Sequence, residues 1–171
     1  MAANTDFQLQ RSGVHPVLGL INKCDGLAKT FDNTFARSVA LLEGLTNGTS
    51  TTSLDETMQV LRETLDRCEQ IVGEMLNCIY ADIPLLLDQM DANQPGLPGN
   101  FNPKSALDSI SQLFYSYQEL LLEKRELLAD FTCEEITPQD FVQRWTSIED
   151  GGLHNERKKD IDDLADLLSA F

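Results

Sequence analysis

One seam dominates this sequence. Leu54, Met58, Leu61, Leu65, Cys68, Val72, Met75 and Ile79 follow one another at alternating steps of four and three residues. That alternation keeps every apolar side chain on one helical face. Its average period of about 3.5 residues demands a partner helix packed along the face. Ser53 and Glu56 stand at the start of the seam as a capping box, each satisfying a free backbone donor of the other. Pro84 predicts a kink or restart near Asp82, with Leu85–Met90 as a short apolar extension.

Two further seams answer the first. Val17, Ile21, Cys24, Ala28, Phe31, Phe35, Val39, Leu42 and Leu45 recur at helical spacing before the polar connector Thr46–Thr52. Leu107, Ile110, Phe114, Tyr117, Leu121, Lys124, Leu128 and Phe131 do the same after a loop at 92–103 that holds three of the six prolines. Asn102 and Pro103 are placed to start that helix. A second row, Leu113, Leu120 and Leu127, widens its face and sets it between two neighbours. Thr137-Pro138 opens a short helix carrying Phe141, Trp145 and Ile148, which Gly151-Gly152 ends. A last segment carries Ile161, Leu164, Leu168 and Phe171. No alternating stretch is long enough for a strand. The expected fold is all-α, an antiparallel helical bundle of three long helices plus two short C-terminal helices. Residues 1–12 read as a flexible N-terminal tail and 13–171 as a single helical-bundle domain.

Charge narrows the function classes. The 171 residues carry a net charge of −15, with −7 over residues 51–100 and −6 over 101–150. So acidic a chain is unsuited to direct nucleic-acid binding, which needs cations to displace counterions. It is equally unsuited to anionic membrane surfaces. The polar first residues do not read as a signal peptide, and no run approaches about 20 apolar residues, so no membrane segment is expected. No two of the four cysteines have zinc-knuckle or redox-motif spacing, and three of them lie on apolar seams. They read as reduced, buried thiols. Asn47-Gly48-Thr49 matches a glycosylation sequon, which reads here as a turn.

Reacting groups are sparse. The two histidines, His15 and His154, lie near opposite ends of the sequence, and neither follows a Glu at the spacing used by di-iron bundles. Phosphate-binding glycine loops and nucleophile elbows are missing. Glu134-Glu135 and Asp162-Asp163 lack the alternating carboxylates of a calcium loop. Arg157-Lys158-Lys159 is too short for an import signal and reads as local pairing with Glu156 and Asp160. The expectation is a non-enzyme with no cofactor, no metal and no small-molecule substrate. Lys124 is the exception on its seam, standing where an apolar residue belongs. It reads either as a side chain that snorkels out of the packed face or as a contact to an acidic partner or to neighbouring glutamates.

Tyr117-Gln118-Glu119-Leu120-Leu121-Leu122-Glu123-Lys124-Arg125 resembles the late long helix of the cyclin-dependent kinase 2-interacting protein family, where a Tyr, a leucine run and Lys-Arg recur. Trp145 then takes the place of a lone Trp that this family and its companion ribosome maturation factor carry on a short helix. The closing apolar segment, Ile161 to Phe171, is similar to that of the companion factor. The likeness covers the last third of the chain in residues and the rest in layout. The Pro-Gly-rich loop and the lack of a long polar N-terminal tail depart from the kinase-interacting family and leave open which of the two it resembles.

The resemblance implies a helical adaptor that pairs with a related helical protein as a hetero-oligomer. It further implies an accessory role in an AAA-type ATPase complex of ribosome maturation and of replication and genome maintenance, in nucleus and cytoplasm. Tyr117, Leu121, Lys124, Arg125 and Trp145 are the expected partner-binding residues, with surplus apolar surface around the first helix and Trp145. The same heptads suit a coiled-coil structural subunit of a kinetochore, tether or microtubule-associated complex.

Overall fold

Ser53 begins the central rod as its sequence foretells. Its hydroxyl accepts from the Glu56 amide, and the Glu56 carboxylate accepts from the Ser53 amide. From there the computed structural model carries α2 over Leu54–Asn77. The structure describes residues 16–48, 51–92 and 103–147, together with Lys159, Asp162, Asp163 and Asp166, which are helical. Before α2 stands α1, Pro16–Thr46; after it come α3 (Ile83–Ala92), α4 (Pro103–Thr132) and α5 (Pro138–Thr146). No strand occurs among the described residues, so the all-α class holds.

Pro84 does not break the rod. It has no amide hydrogen for the Tyr80 carbonyl, and its ring crowds that carbonyl. The chain absorbs this by widening into one π turn, Cys78–Asp82, in which the Ile83 amide donates back to the Cys78 carbonyl. The inserted residue re-phases the seam, so burial passes from Ile79 to Ile83 and Leu86 and α3 stays on the bundle. The continuous helix Leu54–Gln89 is long enough, and over part of its length apolar enough, to cross a membrane by length and composition. In the fold the same seam packs against α1 and α4.

Cross-helix contacts fix the topology. Lys23 near the start of α1 bonds Asp82 near the end of the central rod at 3.0 Å, so α1 and α2 are antiparallel. Tyr80 meets Tyr115, and Glu69 meets Arg125, so α2 and α4 are antiparallel as well. Phe31 packs on Tyr117 and Phe35 lies under Lys124, so α1 and α4 run parallel. The result is an up-down-up bundle with α5 folded back along the end of α4. Phe141 stacks on Phe131 at 4.4 Å, and Trp145 stacks on Phe35 at 5.5 Å.

The core is the three predicted seams joined. Ile21, Phe31, Leu61, Met75, Ile110 and Phe114 are among its fully buried members. Leu54, placed on the seam by spacing, is instead 65% exposed at the first turn of α2. Gly48 adopts a positive φ of 70° just past α1, the left-handed conformation that lets a helix end there. The predicted cap Asn102, the histidines, Ile148 and the apolar residues of the last segment lie outside the described residues. The second short C-terminal helix is therefore represented only by its four described positions. The Asp162 and Asp166 charges hold Lys29 above its ordinary pKa, after the larger effect of its hydrogen bond to Asp25.

Candidate partner-binding residues and the α4–α5 lock

Four of the five residues expected to bind a partner are covered by the chain's own helices. Tyr117 and Trp145 have no exposed surface, Lys124 has 1% and Leu121 has 5%. Only Arg125 reaches solvent, half-exposed, and it bonds Glu69 at 2.6 Å and Asp66 at 3.3 Å across the α2–α4 boundary. The first helix offers no large exposed apolar side chain among its described residues. Exposed apolar side chains lie instead on the central rod and α4: Leu54, Val60, Tyr80, Leu85, Tyr115 and Leu122. The expectation of surplus apolar surface around α1 and Trp145 is thereby corrected, because α5 folds that tryptophan inward.

Lys124 does not snorkel. Its ammonium turns inward, donates to the Arg144 carbonyl at 2.6 Å and lies 3.4 Å from the Ser147 carbonyl. Both oxygens belong to the closing turn of α5, where a helix leaves carbonyls without intrahelical donors and concentrates negative partial charge. Phe35 lies beneath the ammonium, 5.9 Å from ring centroid to Nζ. Glu123 is 3.8 Å away but 57% exposed, so the carbonyls dominate. A buried cation is tolerated only when its donors are used. In this position it acts as a tertiary cap, made by one helix for another.

Trp145 completes the same lock. Its indole Nε1 donates to Ser38 Oγ at 3.0 Å, and Ser38 Oγ donates to the Phe35 carbonyl at 2.6 Å. Ser38 occupies a core position on α1 between Phe35 and Leu42. The apolar pattern of α1 passes over it, and only the requirement of a buried indole for an acceptor would have pointed to such a residue. At the other end of α5 the Thr137 hydroxyl accepts from the Asp140 amide. Among the described residues no buried side-chain nitrogen or oxygen lacks a partner.

Tyr117 anchors α4 to α1. Its hydroxyl donates to Asp32 Oδ1 at 3.0 Å, and its ring lies 4.7 Å from that of Phe31. Burial, then the Asp32 charge, drives its phenol above the ordinary tyrosine range. The thiols behave alike. Burial raises Cys24, Cys68 and Cys78, with Cys68 reaching about 11. The Cys78 thiol adds to the rise at Cys24, and the Asp82 carboxyl is held low by its bond to Lys23. Raised thiols are poor nucleophiles. Among the described residues no group of three or more His, Cys, Asp or Glu side chains is placed to hold a metal ion.

No family model, no curated protein sequence and no solved structure matches this chain.

Proposed function

We propose that this protein is a non-enzymatic helical adaptor. It pairs with a related helical protein and, through that pairing, associates with an AAA-type ATPase assembly in ribosome maturation and genome maintenance, in nucleus and cytoplasm. The observation that carries the adaptor reading is the fate of the polar groups in the α4–α5 unit. Lys124, Tyr117, Ser38 and Trp145 join helix to helix, with their hydrogen bonds closed inside the chain. Tyrosine and leucine side chains are meanwhile left on the outer faces of α2, α3 and α4. Rods locked into a rigid bundle with apolar outer positions suit recognition by another helix. The ATPase association rests on the resemblance over Tyr117–Trp145 alone.

Affinity purification of the full chain at near-physiological salt, with partner identification and sedimentation of the product, tests both levels. The expected result is one helical protein at fixed stoichiometry, accompanied by an AAA ATPase and pre-ribosomal components. Recovery of a kinetochore, tether or microtubule-associated assembly in their place would overturn the ATPase association and keep the adaptor. A chain that sediments as a monomer and retains no helical protein would overturn both.

A further inference from the structure

The α2–α4 boundary holds an open notch between two closed rungs. At one end the Tyr80 and Tyr115 hydroxyls meet at 3.0 Å. At the other, Arg125 bridges to Glu69 and Asp66. The antiparallel register defined by these rungs sets Gly73 of α2 opposite Leu122 of α4. Gly73 has no side chain, and a Cβ added there would meet nothing within 4 Å. Leu122 stands 58% exposed at the same level of α4, about two helical turns, roughly 10 Å, from Tyr115. The notch is thus open backbone at Gly73, level with one exposed leucine and with the tyrosine pair towards one end.

Its surroundings are acidic. Asp66 and Glu69 are each more than 60% exposed on the α2 side. Glu119, Glu123 and Glu126 are exposed around Leu122 on α4. Against these five carboxylates stand Arg125, which bridges to two of them, and Arg62, one turn before Asp66 on α2. An apolar notch ringed by carboxylates favours an apolar side chain flanked by lysines or arginines. It disfavours an acidic helix, whose charges would be brought against like charges.

We propose that the notch between Gly73 and Leu122 is the docking site for a cationic amphipathic helix. The partner helix lays one aliphatic or aromatic side chain onto the Gly73 backbone and sets its cations against Asp66, Glu69 and the α4 glutamates. Tyr80 and Tyr115 supply the rigid aromatic contact typical of interface anchors. This inference rests on the adaptor reading and moves the partner surface from the buried seam of α4 to its outer flank.

The test uses the full chain and a labelled synthetic helix of leucine and lysine, roughly 18 residues long so that it can hold helical structure. Versions with glutamine or glutamate in place of lysine are its controls. Gly73→Leu fills the notch, Leu122→Asp charges the leucine position level with it, and Leu54→Asp adds the same charge at an exposed leucine far from it. The expected result is binding of the lysine helix alone. That binding weakens about tenfold or more in Gly73→Leu and Leu122→Asp, weakens little in Leu54→Asp, and falls as salt is raised. Gly73→Leu should melt no lower than the parent, because it removes a mid-helix glycine, so its loss of binding is not unfolding.

No binding, equal binding of the glutamine or glutamate helices, or equal effects of Leu54→Asp and Leu122→Asp would each overturn the proposal. If the full chain still captures its helical partner while Gly73→Leu leaves that capture intact, the notch is wrong and the adaptor reading stands. If no helical partner is captured at all, the adaptor reading fails first.

Discussion

The ammonium of Lys124 stands 2.6 Å from the carbonyl oxygen of Arg144, which ties the middle of α4 to the closing turn of α5. Replacing Lys124 with Met keeps most of the packed stem and removes the donor. The part-buried carbonyls of Arg144 and Ser147 then lose their charged donor, at a cost of about 1–3 kcal/mol. For a chain of this size each kcal/mol lowers the melting temperature by roughly 2–4 °C. Lys124→Glu should be worse, because it sets a negative charge against the negative end of α5. Thermal unfolding should rank the parent above Lys124→Met and that above Lys124→Glu. A Lys124→Met protein as stable as its parent would mean that the cap contributes nothing.

Trp145 is the only tryptophan, so the chain's fluorescence reports the docking of α5. Its ring is fully buried against Phe35 and Phe141. The native protein should emit at the short wavelengths of an apolar site and shift red on unfolding. Ser38→Ala removes the acceptor of the indole N–H at a cost of about 1–2 kcal/mol, reduced slightly by the better helix propensity of alanine. The emission should stay short in Ser38→Ala, because the ring is held by packing, and should shift red in Lys124→Glu if α5 lifts. A red-shifted native emission in the parent would contradict the docked position of α5.

The helices were legible because each is written in the spacing of its apolar residues, and the capping box and Pro138 mark where two of them begin. The π turn was half legible. Pro84 announces a lost hydrogen bond, but whether a helix breaks or widens there depends on what Ile83 and Leu86 pack against. Lys124 was visible as a break in the pattern, yet its role was hidden, because a tertiary cap joins residues twenty apart that share no local pattern. The same holds for Ser38 and Trp145, separated by 107 residues. Spacing predicts which face of a helix is buried. It does not show that α5 folds back to bury the residues offered as a docking surface.

Glu134 ends α4 with a φ of 60°, in the left-handed region. Its amide donates to the Phe131 carbonyl, and the Glu135 amide reaches back to the Asp130 carbonyl, the paired bonds of a Schellman ending. Glycine normally fills this position, because a Cβ there crowds the carbonyl at a cost of roughly 1 kcal/mol. Glu134 also sets a negative charge beside the negative end of the helix. Glu134→Gly should therefore stabilise the protein by up to about 1 kcal/mol, visible as a rise of a few degrees in thermal unfolding. Glu134→Ala, which keeps the Cβ and removes only the charge, should gain less. A Glu134→Gly protein that melts below its parent would show that the side chain makes a contact worth more than the strain.

The three buried thiols make an alkaline prediction. Burial keeps Cys68 protonated to about pH 11, and it raises Cys24 and Cys78 as well. In the unfolded chain a thiol ionises near pH 8.5. Above that pH the unfolded chain binds fewer protons than the native one, so stability falls as pH rises. The share from Cys68, on the order of 3 kcal/mol, is lost progressively as pH rises from the unfolded value towards about 11. Urea unfolding between about pH 7 and pH 10 should show this decline, and Cys68→Ala should reduce its slope even though it lowers the starting stability. Alkylation provides the second readout. Cys133 is exposed and should take up iodoacetamide in the native protein, while Cys24, Cys68 and Cys78 react only on unfolding. Rapid labelling of more than one thiol in the folded state, or a stability that stays level to pH 10, would place these sulfurs outside a packed core.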